Sequence, residues 1–391
     1  MMTRKRKFAI GLAVFVVILV TFAHFAFPYI RAMALILTIS DPQHHHLIAR
    51  IGEHEVQSNY FEFKSPAGKI RARTFRPVGV KNPPGMVIVH GVHELGIQEP
   101  RLMWFATAMA SSGILVLTPE IESLKDYRVA PDGIPVIGES AKLLATQVGH
   151  PVGVMGLSFA GGLSLMTASD ERYAGSIAFV FPVGAHDDLP RVARFFATDQ
   201  AQAVDGSLVH LKANDYGPLV LMYAHPEDFF PANDAAIAER AIQLDLYEKP
   251  TEAAAEALKL SAPSQAMVAK LMRDDMSPIR QPLLDSIARH QEEMEAVSPH
   301  GHFANLHVPV VLLHGAGDDV IPSTEAQWLA RDIPADDLKE MLVSKAVSHV
   351  EMGDTVTRRD KFLLVRFFAH VLEREWDTKS LPLKEGEDQH R

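Results

Sequence analysis

The sequence predicts an α/β protein: a mostly parallel central sheet with helices on both faces, a helical insertion, and an N-terminal transmembrane helix. Three observations carry this expectation. Short, fully apolar runs alternate with amphipathic stretches from about residue 86 to 184, as a parallel sheet buried on both faces requires. The alternation breaks after Leu189 and resumes at "VPVVLLHG", ending in His314 and Gly315. A basic cluster, Arg4 to Lys7, precedes an apolar run from Phe8 to Phe27.

That run is about 20 residues, or about 30 Å as a helix, enough to cross a hydrocarbon core. Its basic flank favours a cytoplasmic N-terminus with the rest of the chain extracytoplasmic. The rival reading is a secretory signal cleaved after "RAMA", Arg31–Ala34, leaving a secreted protein. Arg31 and the apolar "LILTI" beyond it make a poor cleavage context. A buried N-terminal helix of a soluble protein is the plainer alternative.

The chain has 391 residues, room for one large or two modest domains. Its net charge of −10 argues against nucleic acid as a partner. The absence of cysteine excludes disulfides, thiolate catalysis and Cys-type zinc sites, and fixes no redox compartment. The histidine-rich "DPQHHHLIARIGEHEV" reads as a solvated linker rather than a metal site.

"YFEFKSPAGKIRARTFRPVG" alternates around a turn at Ser65–Gly68 and predicts an antiparallel hairpin. "PPGMVIVHG" is a buried strand, "EPRLMWFATAMASSG" a helix with Pro100 near its start and Gly113 at its end. "ILVLTPE" is the next strand and "GIPVIGESAKLLATQVG" an amphipathic helix. "PVGVMG" is a strand followed at once by the helix "FAGGLSLMTAS", and "SIAFVFPVG" a further strand. Between Leu189 and about Phe303 the pattern is mostly helical, with "GPLVLMYA" readable as a strand or a buried helix start. A helix over Thr324–Arg331, a strand in "DLKEMLVSKA" and a closing helix in "DKFLLVRFFAHVLEREW" complete the core. The division is thus 1–40 membrane anchor and linker, 41–189 and 304–376 the two parts of the core, 190–303 the helical lid, and 377–391 a charged tail.

Ser158, in "GLSFA" between strand and helix, is the candidate nucleophile. A serine there is exposed at a sharp turn, and the positions around it must be small. Gly156 and Ala160 meet that demand, although the usual second glycine is replaced by Ala160. The bland reading of Ser158 is an N-cap. Asp318 in "HGAGDDVIP" follows a strand, where a carboxylate orients a histidine; Asp319 is the alternative. His349, past the last strand, is the candidate base, while His370 reads as packed within the closing helix. Val92 and Phe159 offer backbone N–H groups for an oxyanion, with His90 and Gly91 supporting the loop "HGVHELG". A zinc reading of His90, His93 and Glu94 lacks the helical H-E-x-x-H spacing.

In the order Ser158, Asp318, His349, these motifs resemble the α/β-hydrolase superfamily, over roughly Tyr60–Leu189 and His307–Arg374. The resemblance is to the bacterial branch with dienelactone-hydrolase-like or prolyl-oligopeptidase-like catalytic domains. The chain departs from dienelactone hydrolase proper, whose nucleophile is cysteine, and shows no N-terminal β-propeller before the sheet. The family implies a fold, a triad and hydrolysis, and it does not imply a substrate; the expected partner is a small-molecule ester or acyl substrate, with no cofactor and no metal. It places its lid where this chain carries its insertion. Asp187 or Asp188, leading into the lid, is a displaced triad acid in some relatives; capping of the first lid helix is the other role. Phe229, Phe230, Met222 and Tyr223 line a pocket or form lid core. The expected activity is a membrane-anchored serine hydrolase cleaving a carboxylic ester or thioester. A peptidase or amidase, an acyltransferase, and a non-catalytic binding protein of the same fold are the alternatives.

Overall fold

The computed structural model describes residues 4–40, 47–48, 50–271, 276–347 and 357–383; the side chains of 4–11, 18–20 and 22–24 also lie outside the described set. The chain opens with helix α1 (Arg4–Ser40), which carries Pro28 inside it. The hairpin follows as β1 (Val56–Ser65) and β2 (Gly68–Pro77), in register from Val56 opposite Pro77 to Ser65 opposite Gly68. Then come β3 (Gly85–Val89), α2 (Pro100–Ser111), β4 (Leu115–Pro119), the short α3 (Glu122–Lys125) and α4 (Gly133–Val148). The next strand, β5 (Val152–Leu157), runs straight into α5 (Phe159–Ala168), and the short α6 (Glu171–Ala174) leads to β6 (Ile177–Val183).

The insertion is built of α7 (Leu189–Thr198), a small hairpin of β7 (Gln200–Gln202) and β8 (Leu208–His210), α8 (Tyr216–Ala224), α9 (Ala232–Leu246), α10 (Pro250–Ala257), α11 (Ala262–Leu271), α12 (Arg280–Arg289) and α13 (Gln291–Glu295). The core resumes with β9 (Val310–Gly315), α14 (Thr324–Asp332), β10 (Leu338–Ser344) and α15 (Arg358–Asp377).

The main sheet has eight strands in the order β1-β2-β4-β3-β5-β6-β9-β10. Pairing is antiparallel as far as β4 and parallel from β4 to β10. All residues of β3, β4, β6 and β9 are buried, which is why these strands read as unbroken apolar runs. One apolar layer joins the sheet to α4 and α5 through Val87, Leu144, Val154 and Leu163. The other joins it to α1, α2 and α15 through Leu35, Met109, Phe181 and Phe367.

At its end, helix α1 does not form the linker that was expected up to residue 40. Its last third is docked: Ala32, Ala34 and Leu35 are buried, and Arg31 donates to the Ser112 carbonyl at 2.5 Å while lying 5.0 Å over the Trp376 ring. Trp104 Nε1 donates to the Thr38 carbonyl at 3.1 Å, satisfying one of the acceptors that a helix end leaves open. Among the described residues no helix is long and apolar enough to cross a membrane. Much of the run expected to span, Phe8–Phe27, falls on side chains outside that set. "GPLVLMYA" is helix α8, and the described part of the insertion includes the β7–β8 hairpin, which was not among the expected elements.

The insertion is tied to the core by polar contacts. Asp126 Oδ1 accepts hydrogen bonds from Tyr223 at 2.7 Å, Tyr247 at 2.9 Å and Gln243 at 3.0 Å. Burial pushes the Asp126 carboxyl up, but these three donors and Arg128 outweigh it and hold the group below its ordinary range. A second tie is buried: Arg191 donates to Glu325 at 2.5 Å and to Asp187 at 2.9 Å.

Candidate active site

Ser158 stands between β5 and α5 with φ 57° and ψ −132°. An L-residue adopts that geometry at a cost of about 1–3 kcal/mol and only where its surroundings enforce it. Here the Ser158 N–H donates to the Val183 carbonyl at 2.8 Å and its carbonyl accepts from Gly161 at 2.8 Å. The residues around it leave no room for side chains. A Cβ on Gly156 would lie 2.3 Å from the Ala160 carbonyl oxygen, on Gly161 2.6 Å from the Ala185 methyl, and on Gly162 2.3 Å from the His186 ring. Ala160, the departure from the usual glycine, is fully buried in the apolar layer with Val154 and Leu163, which accommodates its methyl. The structure therefore carries a strained strand-turn-helix elbow rather than an ordinary N-cap, and Ser158 makes no side-chain cap.

The loop after β3 crosses close to this turn. A Cβ on Gly91 would sit 3.4 Å from Ser158 Cβ. His90 holds the loop. Its Nδ1 donates to the Gly91 carbonyl at 2.7 Å, and its Nε2 accepts the Ile121 N–H at 3.0 Å. This pattern requires the neutral ring, and burial holds the His90 imidazole below its ordinary value against the opposing pull of the Gly91 hydrogen bond and of Glu120. The Gly91 carbonyl and the Val92 N–H belong to one planar peptide and point in opposite directions. Fixing the carbonyl therefore aims the Val92 N–H. With both His90 nitrogens engaged by backbone, the zinc reading of His90, His93 and Glu94 loses its first ligand. His93 is occupied locally, its Nδ1 accepting the Leu95 N–H at 3.2 Å.

Asp318 is buried just past β9. Its Oδ1 accepts the N–H groups of Val320 at 3.0 Å and Ile321 at 2.9 Å, and its Oδ2 lies 3.4 Å from His314 Nε2. Asp319 turns instead toward the insertion, where its carbonyl accepts the Asn214 N–H at 2.8 Å. Asp187 is engaged with Arg191, and burial raises its carboxyl above the ordinary range despite that partner. Asp188 caps α7, accepting the Arg191 N–H at 2.7 Å. His349 lies outside the described residues. His370 is not simply packed: its Nδ1 contacts Glu340 at 2.7 Å on a half-exposed helix face.

The parallel sheet order and the strained serine between its central strand and the next helix decide the architecture. The chain has the α/β-hydrolase fold. Solved structures similar to it include an acylaminoacyl peptidase from Pyrococcus horikoshii, at 13% identity and a TM-score of 0.47, covering 87% of this chain and 44% of that one. An esterase from Pyrobaculum calidifontis matches at 15% identity and a TM-score of 0.43, covering 90% of each chain. The esterase domain of a Rhodothermus marinus protein matches at 12% identity and 0.43, covering 83% of this chain and 99% of that one. The chain spans less than half the length of the acylaminoacyl peptidases it resembles. No protein-family model and no curated protein matches it.

Ser158 opens into a cavity of about 1170 Å³. Its walls come from the 90–93 loop, from Tyr216, Leu219 and Leu246 of the insertion, and from Tyr127, whose φ of 55° is left-handed. The far wall comes from α2 and, unexpectedly, from the end of α1. Sequence reasoning did not connect that wall to the serine. The only signal was the apolar "LILTI" that continues past the expected span.

Proposed function

We propose that the chain is a serine hydrolase that cleaves a carboxylic ester or thioester. The observation that carries this reading is Ser158 held at φ 57° in the elbow, beneath a loop in which His90 fixes the direction of the Val92 N–H. Ser158 Oγ attacks the carbonyl carbon and a C–O bond forms. The oxyanion is stabilised by the N–H groups of Val92 and Phe159, the latter at the positive end of α5. His349 takes the serine proton and returns it to the leaving group as the acyl–heteroatom bond breaks, and Asp318 orients His349. Water, deprotonated by the same base, then releases the acid and restores Ser158. A fluorophosphonate probe tests this. Phosphonylation of the wild-type chain at Ser158, abolished in Ser158→Ala, is the expected result; a folded wild-type chain that neither labels nor turns over any ester refutes it.

The same proposal includes an uncleaved anchor at Phe8–Phe27, with the N-terminus cytoplasmic and the catalytic domain outside. Its support is the apolar run behind Arg4–Lys7 and the exposure of Leu12, Phe15, Val17 and Phe25 on α1. Because the chain has no cysteine, single cysteines report topology cleanly. A membrane-impermeant maleimide applied to intact cells should label Ser65→Cys and spare Thr3→Cys, and the reverse pattern refutes the orientation.

A further inference from the structure

Helix α1 reaches the catalytic cavity itself. Its docked end presents Ile36, Ile39 and Ser40 to the same space as Ser158, beside Trp104 and Phe105 of α2 and Phe368 of α15. Ile36 and Ile39 are only half-buried and are packed against the apolar layer beneath, so these methyl groups line open space rather than filling core. The end of α1 is held there by the Arg31 and Trp104 hydrogen bonds, which makes it a fixed wall.

The two ends of the cavity differ. Toward α1 and α2 the lining is mainly aliphatic and aromatic, its two charged groups there, Glu99 and Arg101, being paired with each other at 2.7 Å. Beneath the insertion it carries Asp215, Asp245, Glu248 and Asp319. Small-molecule pockets run to about 300–1,000 Å³, and this one is larger, at about 1170 Å³. An apolar chamber on one side of the serine and a carboxylate-rich mouth on the other are complementary to an amphiphile. Burying methylenes against Ile36, Ile39 and Phe105 is favourable in proportion to chain length, whereas an anionic head would meet like charges.

We infer that the substrate is a long-chain acyl ester of an uncharged or cationic alcohol, its acyl tail lying along the C-terminal end of α1 and its alcohol beneath the insertion. This rests on the serine-hydrolase reading above and adds to it the substrate class and a catalytic-chamber role for the N-terminal helix.

The test uses the full chain in detergent micelles and a fluorophosphonate whose dodecyl chain ends in a diazirine. After phosphonylation of Ser158, irradiation should cross-link the tail to peptides carrying Ile36 and Ile39 or Trp104 and Phe105. Cross-links confined to the insertion overturn the inference and leave the hydrolase reading standing. No phosphonylation of Ser158 removes the hydrolase reading itself, and the inference with it. In parallel, kcat/KM for a dodecanoate ester should exceed that for the butyrate ester of the same uncharged alcohol at least tenfold, and Ile39→Glu should lower that ratio at least tenfold. A flat chain-length profile in the wild type, or an unchanged ratio in the variant, also overturns the inference. A glycerol ester should be preferred at least tenfold over its glycerol phosphate counterpart, and the opposite preference refutes the assignment of the head group.

Discussion

Replacing His90 with phenylalanine separates the loop-holding role of the ring from its bulk. The ring volume is largely kept, but both hydrogen bonds go. Ile121 is fully buried, so its orphaned N–H carries the full desolvation penalty of about 1–3 kcal/mol. Gly91 is half-buried, and water partly rescues its carbonyl, adding about 1 kcal/mol or less. The expected loss of stability is about 1–4 kcal/mol, read from chemical denaturation. The catalytic effect comes from the Val92 N–H, no longer aimed by the clamped carbonyl. Deleting an oxyanion donor costs about 10²–10³ in kcat; loosening one should cost about 10- to 100-fold, with KM changed far less. The pH dependence has a sign. The folded His90 value is depressed by burial, so the wild type loses stability as pH falls through the unfolded histidine value, about 6.5. The variant should lose less over that window. A folded His90→Phe protein whose kcat on a p-nitrophenyl ester stays within twofold of wild type refutes the reasoning. It would make His90 a packing residue and remove Val92 as a donor.

Three further outcomes follow from packing and charge. Gly156→Ala puts a Cβ 2.3 Å from a backbone oxygen, which cannot swing aside, so it should cost about 1–3 kcal/mol or more and slow phosphonylation of Ser158; a neutral effect on both would mean the elbow is slack. Arg191→Met strands Glu325 and Asp187, both almost fully buried, and should destabilise by about 3–5 kcal/mol in a urea titration; a cost under about 1 kcal/mol would show the network to be solvated. Glu375 is fully buried and neither carboxyl oxygen has a hydrogen-bond partner among the described residues, so burial drives its carboxyl well above the ordinary range. Its folded value being raised, the wild type loses stability as pH rises above the unfolded glutamate value, about 4.3. Glu375→Met should flatten that slope and gain about 1–3 kcal/mol, and a loss of stability at neutral pH would refute it.

The core was legible because its strands are buried on both faces and therefore spelled out in unbroken apolar runs, such as "MVIV" and "VVLLHG". Ser158 was legible because strain has a composition: Gly156, Gly161 and Gly162 are small where the backbone must bend. Other features depend on partners far away in sequence. His90 was placed in the supporting loop by its strand, but what it holds depends on Ile121, 31 residues on, whose N–H its ring accepts. "GPLVLMYA" is apolar without period, and a short run of that kind does not distinguish a strand from a buried helix. The β7–β8 hairpin did leave a signal, the Asp205-Gly206 pair typical of tight turns, but its flanks are only three residues each. The docking of α1 was hidden for a different reason: "ALILTI" reads the same whether it faces lipid, a linker or a cavity.

The fixed end of α1 turns the N-terminal helix into a ruler. If the proposed anchor ends at Phe27, Ile36 lies nine residues beyond it along one helix, and Ile39 twelve. At about 1.5 Å per residue the apolar chamber stands about 14–18 Å beyond the end of the span, measured along the axis. An extended dodecyl chain is of similar length, about 15 Å by carbon–carbon geometry. On the proposed anchor, the standoff from the bilayer would match the length of the proposed acyl chain, and it would be set by the count of residues between Phe27 and Ile39.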